Sequence, residues 1–147
     1  MNIIETNLDF KKLHYTNELT AIILHHAAHS TCNVYDIHKW HKRDKGWSGI
    51  GYHFFITKDG KIYRGRPEKA VGAHCLNHNA YSIGICVQGD YMKESMLIEH
   101  EKVVMELCRY LCDKYKIETI KGHKELNPTS CPGENYPLER IKEEVFY

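Results

Sequence analysis

Thr20-Ala21-Ile22-Ile23-Leu24-His25-His26-Ala27-Ala28 reads as one continuous apolar run carrying a histidine pair. Its length and its Ile-rich character fit a strand buried on both faces at the centre of a sheet. Working outward, residues 33–45 carry Val34, Ile37, Trp40 and His41 at helical spacing, with Asn33 able to cap the start and Gly46 following the end. A strand is expected over Ile50 to Thr57. Lys58-Asp59-Gly60-Lys61 is an Asp-Gly hairpin turn, with a return strand at Lys61 to Arg64. Tyr81 to Gln88 reads as another buried strand.

The longest helix is expected over residues 95–115. Leu97, Val104, Leu107, Cys108, Leu111 and Cys112 line its apolar face, and its Lys and Glu residues face out. Lys116 to Ile120 follows as a short strand. Pro137 opens a terminal helix with Leu138, Ile141 and Val145 on one side. Strands and helices alternate along the whole chain. This predicts an α/β fold, a central mixed β-sheet of about five or six strands with helices packed on its faces. The 147 residues suit a single domain, 1–147, with no repeat, linker or low-complexity tract.

A net charge of +1 implies no bulk attraction to nucleic acid or to an anionic membrane. No apolar run approaches the ~20 residues of a membrane span, so no membrane insertion is expected. Met1 to Asn7 lacks the basic and apolar regions of a secretory signal, which predicts synthesis in the cytoplasm. Cysteines stand at 32, 75, 86, 108, 112 and 131. If Cys131 binds a metal, five remain, an odd number that cannot all pair, which favours free thiols. Cys86, Cys108 and Cys112 sit in apolar patterns and read as small buried hydrophobes.

The chemistry-bearing segment is Gly122-His123-Lys124-Glu125-Leu126-Asn127-Pro128-Thr129-Ser130-Cys131-Pro132-Gly133, a histidine and a cysteine eight residues apart in a turn-rich loop. Together with a histidine at the end of the first strand, they would give three zinc ligands and leave a fourth tetrahedral position open, the arrangement of a catalytic zinc. Taken singly, each residue has a plainer reading: a hydrogen-bonded core histidine, a buried thiol in a turn. Adjacent strand residues face opposite ways, so only one of His25 and His26 can reach a given metal, and spacing alone does not choose between them.

Six motifs in order supply the context. They are Ile23-Leu24-His25-His26; Gly46-Trp47-Ser48-Gly49-Ile50-Gly51-Tyr52-His53-Phe54; Asp59-Gly60-Lys61-Ile62-Tyr63-Arg64-Gly65-Arg66; Val71-Gly72-Ala73-His74; Asn79-Ala80-Tyr81-Ser82-Ile83-Gly84-Ile85; and the His123 to Cys131 segment. Over about residues 20–135 the chain resembles the zinc-dependent N-acetylmuramoyl-L-alanine amidases of the phage T7 lysozyme and peptidoglycan recognition protein type, a span the size of one domain.

The resemblance implies one Zn2+ per chain in a surface groove, held by His25, His123 and Cys131, with His26 facing the other way or supporting the site. It implies Tyr52 as the catalytic tyrosine. Thr129 stands where the T7 branch resembles a lysine and many recognition-protein amidases carry a threonine; its hydroxyl can still donate one hydrogen bond. His74 and Asn79 match positions lining the substrate groove, and Trp47, in the loop leading to Tyr52, reads as groove wall or as plain core. Arg66 reads as structural, and His29, His38, His41 and His78 as surface residues, one of which could border the cleft. The implied substrate is peptidoglycan, and the implied reaction is hydrolysis of the amide between the lactyl group of N-acetylmuramic acid and L-alanine, by a monomer acting on the cell wall after release or lysis. The alternative is a peptidoglycan-binding module without catalysis. Proteins of that kind typically lack the cysteine ligand, and Cys131 favours the enzyme.

Overall fold

A computed structural model describes residues 1–147. Its sheet has six strands: β1 (Ile3–Ile4), β2 (Ala21–His26), β3 (Phe54–Ile56), β4 (Ile62–Arg64), β5 (Ser82–Val87) and β6 (Thr119–Gly122), in the spatial order β1-β4-β3-β5-β2-β6. Only the β3–β4 hairpin is antiparallel; the other pairings are parallel. The turn between β3 and β4 uses Gly60 at φ 85°, a left-handed conformation that glycine adopts without steric cost.

β2 lies between β5 and β6, and all six of its residues are buried, as its unbroken apolar run requires. Side-chain alternation divides the core into two layers. Ile22, Leu24, Ile83 and Ile85 pack with Val104, Leu107, Cys108 and Leu111 of α2 (Ile98–Tyr115) and with Leu138 and Ile141 of α3 (Leu138–Phe146). On the opposite face, Phe55 and Cys86 pack with Val34 and Ile37 of α1 (Val34–Lys39) and with Ile50. Asn33 caps α1 reciprocally with Asp36, each side chain accepting from the other's amide at 2.9 Å.

Several local expectations change. The helix expected over 33–45 passes at Trp40 into a π-helical turn, Trp40–Asp44. The expected strand over 50–57 shortens to β3, because Ile50 and Gly51 are drawn out of the ladder. Arg66 Nε donates to Ile50 O at 2.8 Å, and Ala73 N donates to Gly51 O at 3.0 Å. The strand expected from Lys116 begins instead at Thr119, because Lys116 adopts φ 57° and closes α2. Leu97 precedes α2 as its N-cap and is 56% exposed, so it is not on the apolar face. Glu101, expected outside, is only 3% exposed, its carboxylate gripped by Arg140 of α3 with Nη2 to Oε2 at 2.8 Å. All six cysteines are free thiols, and no helix is long and apolar enough to cross a membrane.

Candidate metal centre and cleft

The parity of β2 separates the histidine pair. His25 shares a row with Cys86 and Phe55 across β2, β5 and β3. His26 points to the other layer, where its Nδ1 accepts from Tyr91 N at 3.0 Å. β6 runs beside β2 and carries the chain to His123 in a 3₁₀ turn (His123–Glu125). The loop then returns, and Lys124 N donates to Cys131 O at 2.8 Å, pinning the segment's two ends together. Ligand atoms of His25, His123 and Cys131 lie within 4.8 Å of one another.

His25 Nδ1 is 3.7 Å from Cys131 Sγ. A tetrahedral zinc with ordinary bond lengths separates a nitrogen and a sulfur ligand by about 3.6 Å. The donor chemistry fits as well. Burial first, then the neighbouring His74 and His123, hold His25 well below its ordinary pKa, so the ring is the neutral imidazole that a metal needs. Burial also lowers His123. Burial pushes the Cys131 thiol up to about 12, so a thiolate here requires a cation beside it.

Tyr52 stands next to this cluster, its ring centroid 4.9 Å from that of His25. Burial first, then the nearby Cys86 and Cys131 sulfurs, raise its pKa well above 10, so the phenol keeps its proton and acts as a donor. A cleft of about 450 Å³ opens beside the cluster, lined by Trp47, Cys75, Leu76, Asn79, His123 and Pro128 among others. Leu76 is 74% exposed at its rim, an apolar residue held in water by the loop.

Thr129 is exposed, and its Oγ1 accepts from Cys131 N at 3.2 Å, which leaves the hydroxyl proton free. Asn79 lines the cleft but spends its carbonyl on the amides of His74 (2.8 Å) and Cys75 (2.9 Å). His74 lines the cleft as well, and it is buried with both ring nitrogens engaged, Nδ1 with His25 Nε2 at 2.9 Å and Nε2 with Ser82 Oγ at 3.2 Å. Arg66 is structural, donating to Ile50 O and to Val71 O, each at 2.8 Å.

The surface assignment fails for His38 and holds only in part for His41. His38 is buried, its Nδ1 accepting from Ile50 N at 3.0 Å while Asp9 meets its Nε2. His41 is half-buried against the rings of Trp47 (4.7 Å) and Tyr52 (5.6 Å), and its Nδ1 accepts from Gly51 N at 2.9 Å. Its helical spacing on the Val34–Trp40 face was the only clue, and the π turn re-aims it in a way that spacing does not encode. Asn127 was also missed, although it lies inside the His123 to Cys131 segment; its Oδ1 is 2.9 Å from His123 Nε2.

The family signature described as N-acetylmuramoyl-L-alanine amidase matches residues 15–134. The endolysin of Escherichia phage T7 is 33% identical over 128 residues, covering 82% of this chain and 83% of that protein. Peptidoglycan-recognition protein SC2 of Drosophila melanogaster is 30% identical over 135 residues, 84% of this chain and 73% of its own. Among solved structures, N-acetylmuramoyl-L-alanine amidase LysC from Clostridium intestinale URNW superposes with a TM-score of 0.96 at 41% identity, covering 99% of this chain and 98% of that one.

Proposed function

The chain belongs to the N-acetylmuramoyl-L-alanine amidase family, and on that premise we propose that its cleft hydrolyses peptidoglycan through a zinc ion held by His25, His123 and Cys131. The protein is a peptidoglycan amidase, and the bond cut joins the lactyl group of N-acetylmuramic acid to L-alanine of the stem peptide. The observation that carries the metal assignment is the convergence of three buried or half-buried donors, from a strand end and a returning loop, at the edge of a cleft. All three donors, the cleft and the core belong to one chain, and we read residues 1–147 as one catalytic domain working as a monomer at the cell wall.

A zinc in this position supplies Lewis acidity, which polarises the scissile carbonyl and acidifies water. The remaining work falls to the protein. Tyr52, protonated and beside His25, donates its O–H toward the carbonyl oxygen as negative charge develops there, or holds the attacking water by the same atom. A donor aimed at such an oxyanion is worth about 3 kcal/mol. Thr129, on the exposed lip of the loop, offers the second O–H. Trp47 and Leu76 give apolar wall to the sugar and peptide, and Asn79, which lines the cleft with its carbonyl already engaged, has its amide nitrogen left to donate to a stem-peptide carbonyl. Trp47 is held from behind by His41 and carries Lys45 Nζ over its ring at 5.2 Å.

The reading against a pure binding module rests on Cys131, whose half-buried sulfur stands 3.7 Å from His25 Nδ1, a spacing suited to a shared metal. Mass spectrometry of fragments released from purified peptidoglycan tests the assignment. Stem peptides with free N-terminal L-alanine and glycan chains left intact are expected. Fragments cut within the glycan, or within the peptide alone, would overturn it.

A further inference from the structure

In each of the two proposed ligand histidines one ring nitrogen is tied down by a neighbouring side chain that is not itself a proposed ligand, His74 for His25 and Asn127 for His123. Ser82 begins the first tie. Its hydroxyl has one proton, and that proton goes to His78 O at 2.6 Å. The Ser82 oxygen, 3.2 Å from His74 Nε2, therefore accepts, and His74 carries its proton on Nε2. A neutral His74 then has a bare Nδ1, which accepts from His25 Nε2–H across 2.9 Å. His25 is left with a bare Nδ1, the atom that faces Cys131 Sγ.

Asn127 makes the second tie. Its Nδ2 donates to Leu76 O at 3.3 Å and to Leu126 O at 3.0 Å, which turns its carbonyl oxygen toward His123 Nε2 at 2.9 Å. That oxygen also receives the Cys75 thiol at 3.2 Å. It can only accept, so His123 donates from Nε2 and keeps Nδ1 bare.

The backbone around His74 is shaped for its ring. A Cβ on Gly84, in the middle of β5, would lie 2.7 Å from the ring, and one on Gly72 would lie 2.6 Å from it. Two side-chain-free positions thus form the seat in which His74 stands edge-on to His25, ring centroids 4.9 Å apart and planes at 88°. Any larger residue at either position would push the ring off its partner.

We propose that His74, braced by Ser82, and Asn127 are positioning residues that lock His25 and His123 in the Nε2–H tautomer, so that both meet the metal through Nδ1. The proposal rests on the reading of His25 and His123 as ligands. Without the lock, each ring spends part of its time with a proton on the ligating nitrogen, and metal binding must first remove it.

The test has an arm that involves no catalysis. In nitrogen-15 labelled, metal-free protein, long-range proton–nitrogen correlations report the tautomer of each imidazole. His25, His74 and His123 are expected to carry their protons on Nε2; a proton on Nδ1 of any of them overturns the corresponding tie. In the second arm, zinc affinity is measured by competition with a chromophoric chelator. Ser82→Ala, His74→Phe and Asn127→Leu are each expected to weaken zinc binding about 10- to 100-fold, while Asn127→Asp, which keeps an acceptor oxygen, restores it. Wild-type affinity in Ser82→Ala and Asn127→Leu refutes the proposal. Should His74→Phe not fold, those two variants and the spectra of the unaltered protein still decide. A protein with the expected tautomers and zinc affinity that cuts no muramoyl–alanine amide would refute the amidase reading and leave the lock standing.

Discussion

Cys131 Sγ and His25 Nδ1 stand 3.7 Å apart although 106 residues separate them along the chain. The strand end supplies one and the returning loop the other. His26, next to His25 in sequence, faces the opposite layer and bonds Tyr91. Cys131→Ser is therefore expected to lose zinc and amidase activity together, and His26→Ala to keep both. Zinc content by atomic absorption, read beside turnover, checks this. Loss of zinc in His26→Ala with retention in His25→Ala would reverse the ligand assignment. Chelation should abolish cleavage, and added zinc should restore it.

Tyr52 touches the cluster without belonging to it. Tyr52→Phe keeps the ring that packs on His25 and Cys86 and removes only the O–H. Zinc binding should be unchanged and kcat should fall about 100-fold or more, the usual scale for a proton-handling group. Full activity in Tyr52→Phe would remove the tyrosine from the chemistry.

His41 supports both Tyr52 and Trp47 and takes the Gly51 amide. His41→Ala leaves that amide without its partner and both rings without a backstop. The expected result is a raised KM and a lowered kcat, with zinc content unaltered. Steady-state kinetics on a soluble muropeptide would separate the two parameters, and unchanged kinetics would return His41 to the bystanders.

The buried histidines make stability depend on acidity. Burial lowers His53 to about 4 from 6.5 in the open chain, and burial with the Lys45 and Arg66 charges lowers His41 to about 4. Above pH 6.5 neither the folded nor the unfolded chain binds protons at these rings, and their neutrality costs nothing. Between pH 6.5 and 4 only the unfolded chain binds them, so stability falls by about 1.4 kcal/mol per pH unit for each ring. Below pH 4 both states are protonated and the loss from these two levels off. Thermal melts of metal-free protein should drop steeply from pH 6.5 to pH 4; a flat Tm over that range would contradict the assignment.

Gly84→Ala places a methyl 2.7 Å from the His74 ring. Overpacking of this kind costs about 1–3 kcal/mol, so the midpoint of urea unfolding should fall. A variant as stable as the parent would show that the ring can move aside.

Much of this was legible in the chain. The β2 run, the Asp-Gly hairpin and the α2 stripe each carry a local period or turn chemistry, and all three appear near their expected bounds. β1 was not, because two residues are too few to display a period. Nor were the buried positions of His38 and Glu101, whose partners Asp9 and Arg140 lie far away in sequence. At His25 and His26 the alternation follows from the strand period, but which face holds the cleft depends on where β6 docks. His74 was recognisable as part of the site while its direction was not. The ring turns inward because Gly72 and Gly84 leave room for it and Ser82 waits behind it, a relation among four positions that no linear pattern displays.

β6 pairs only with β2, and it delivers His123 and, through the following loop, Cys131. Two of the three proposed zinc ligands thus come from β6 and the loop that follows it, after β2, the hairpin and α2 in chain order. During synthesis the ribosome releases β2, the hairpin, the cleft wall and α2 before the centre exists. A chain halted anywhere before residue 131 lacks at least one of the three proposed ligands, so the proposed centre cannot assemble until the ribosome has passed Cys131.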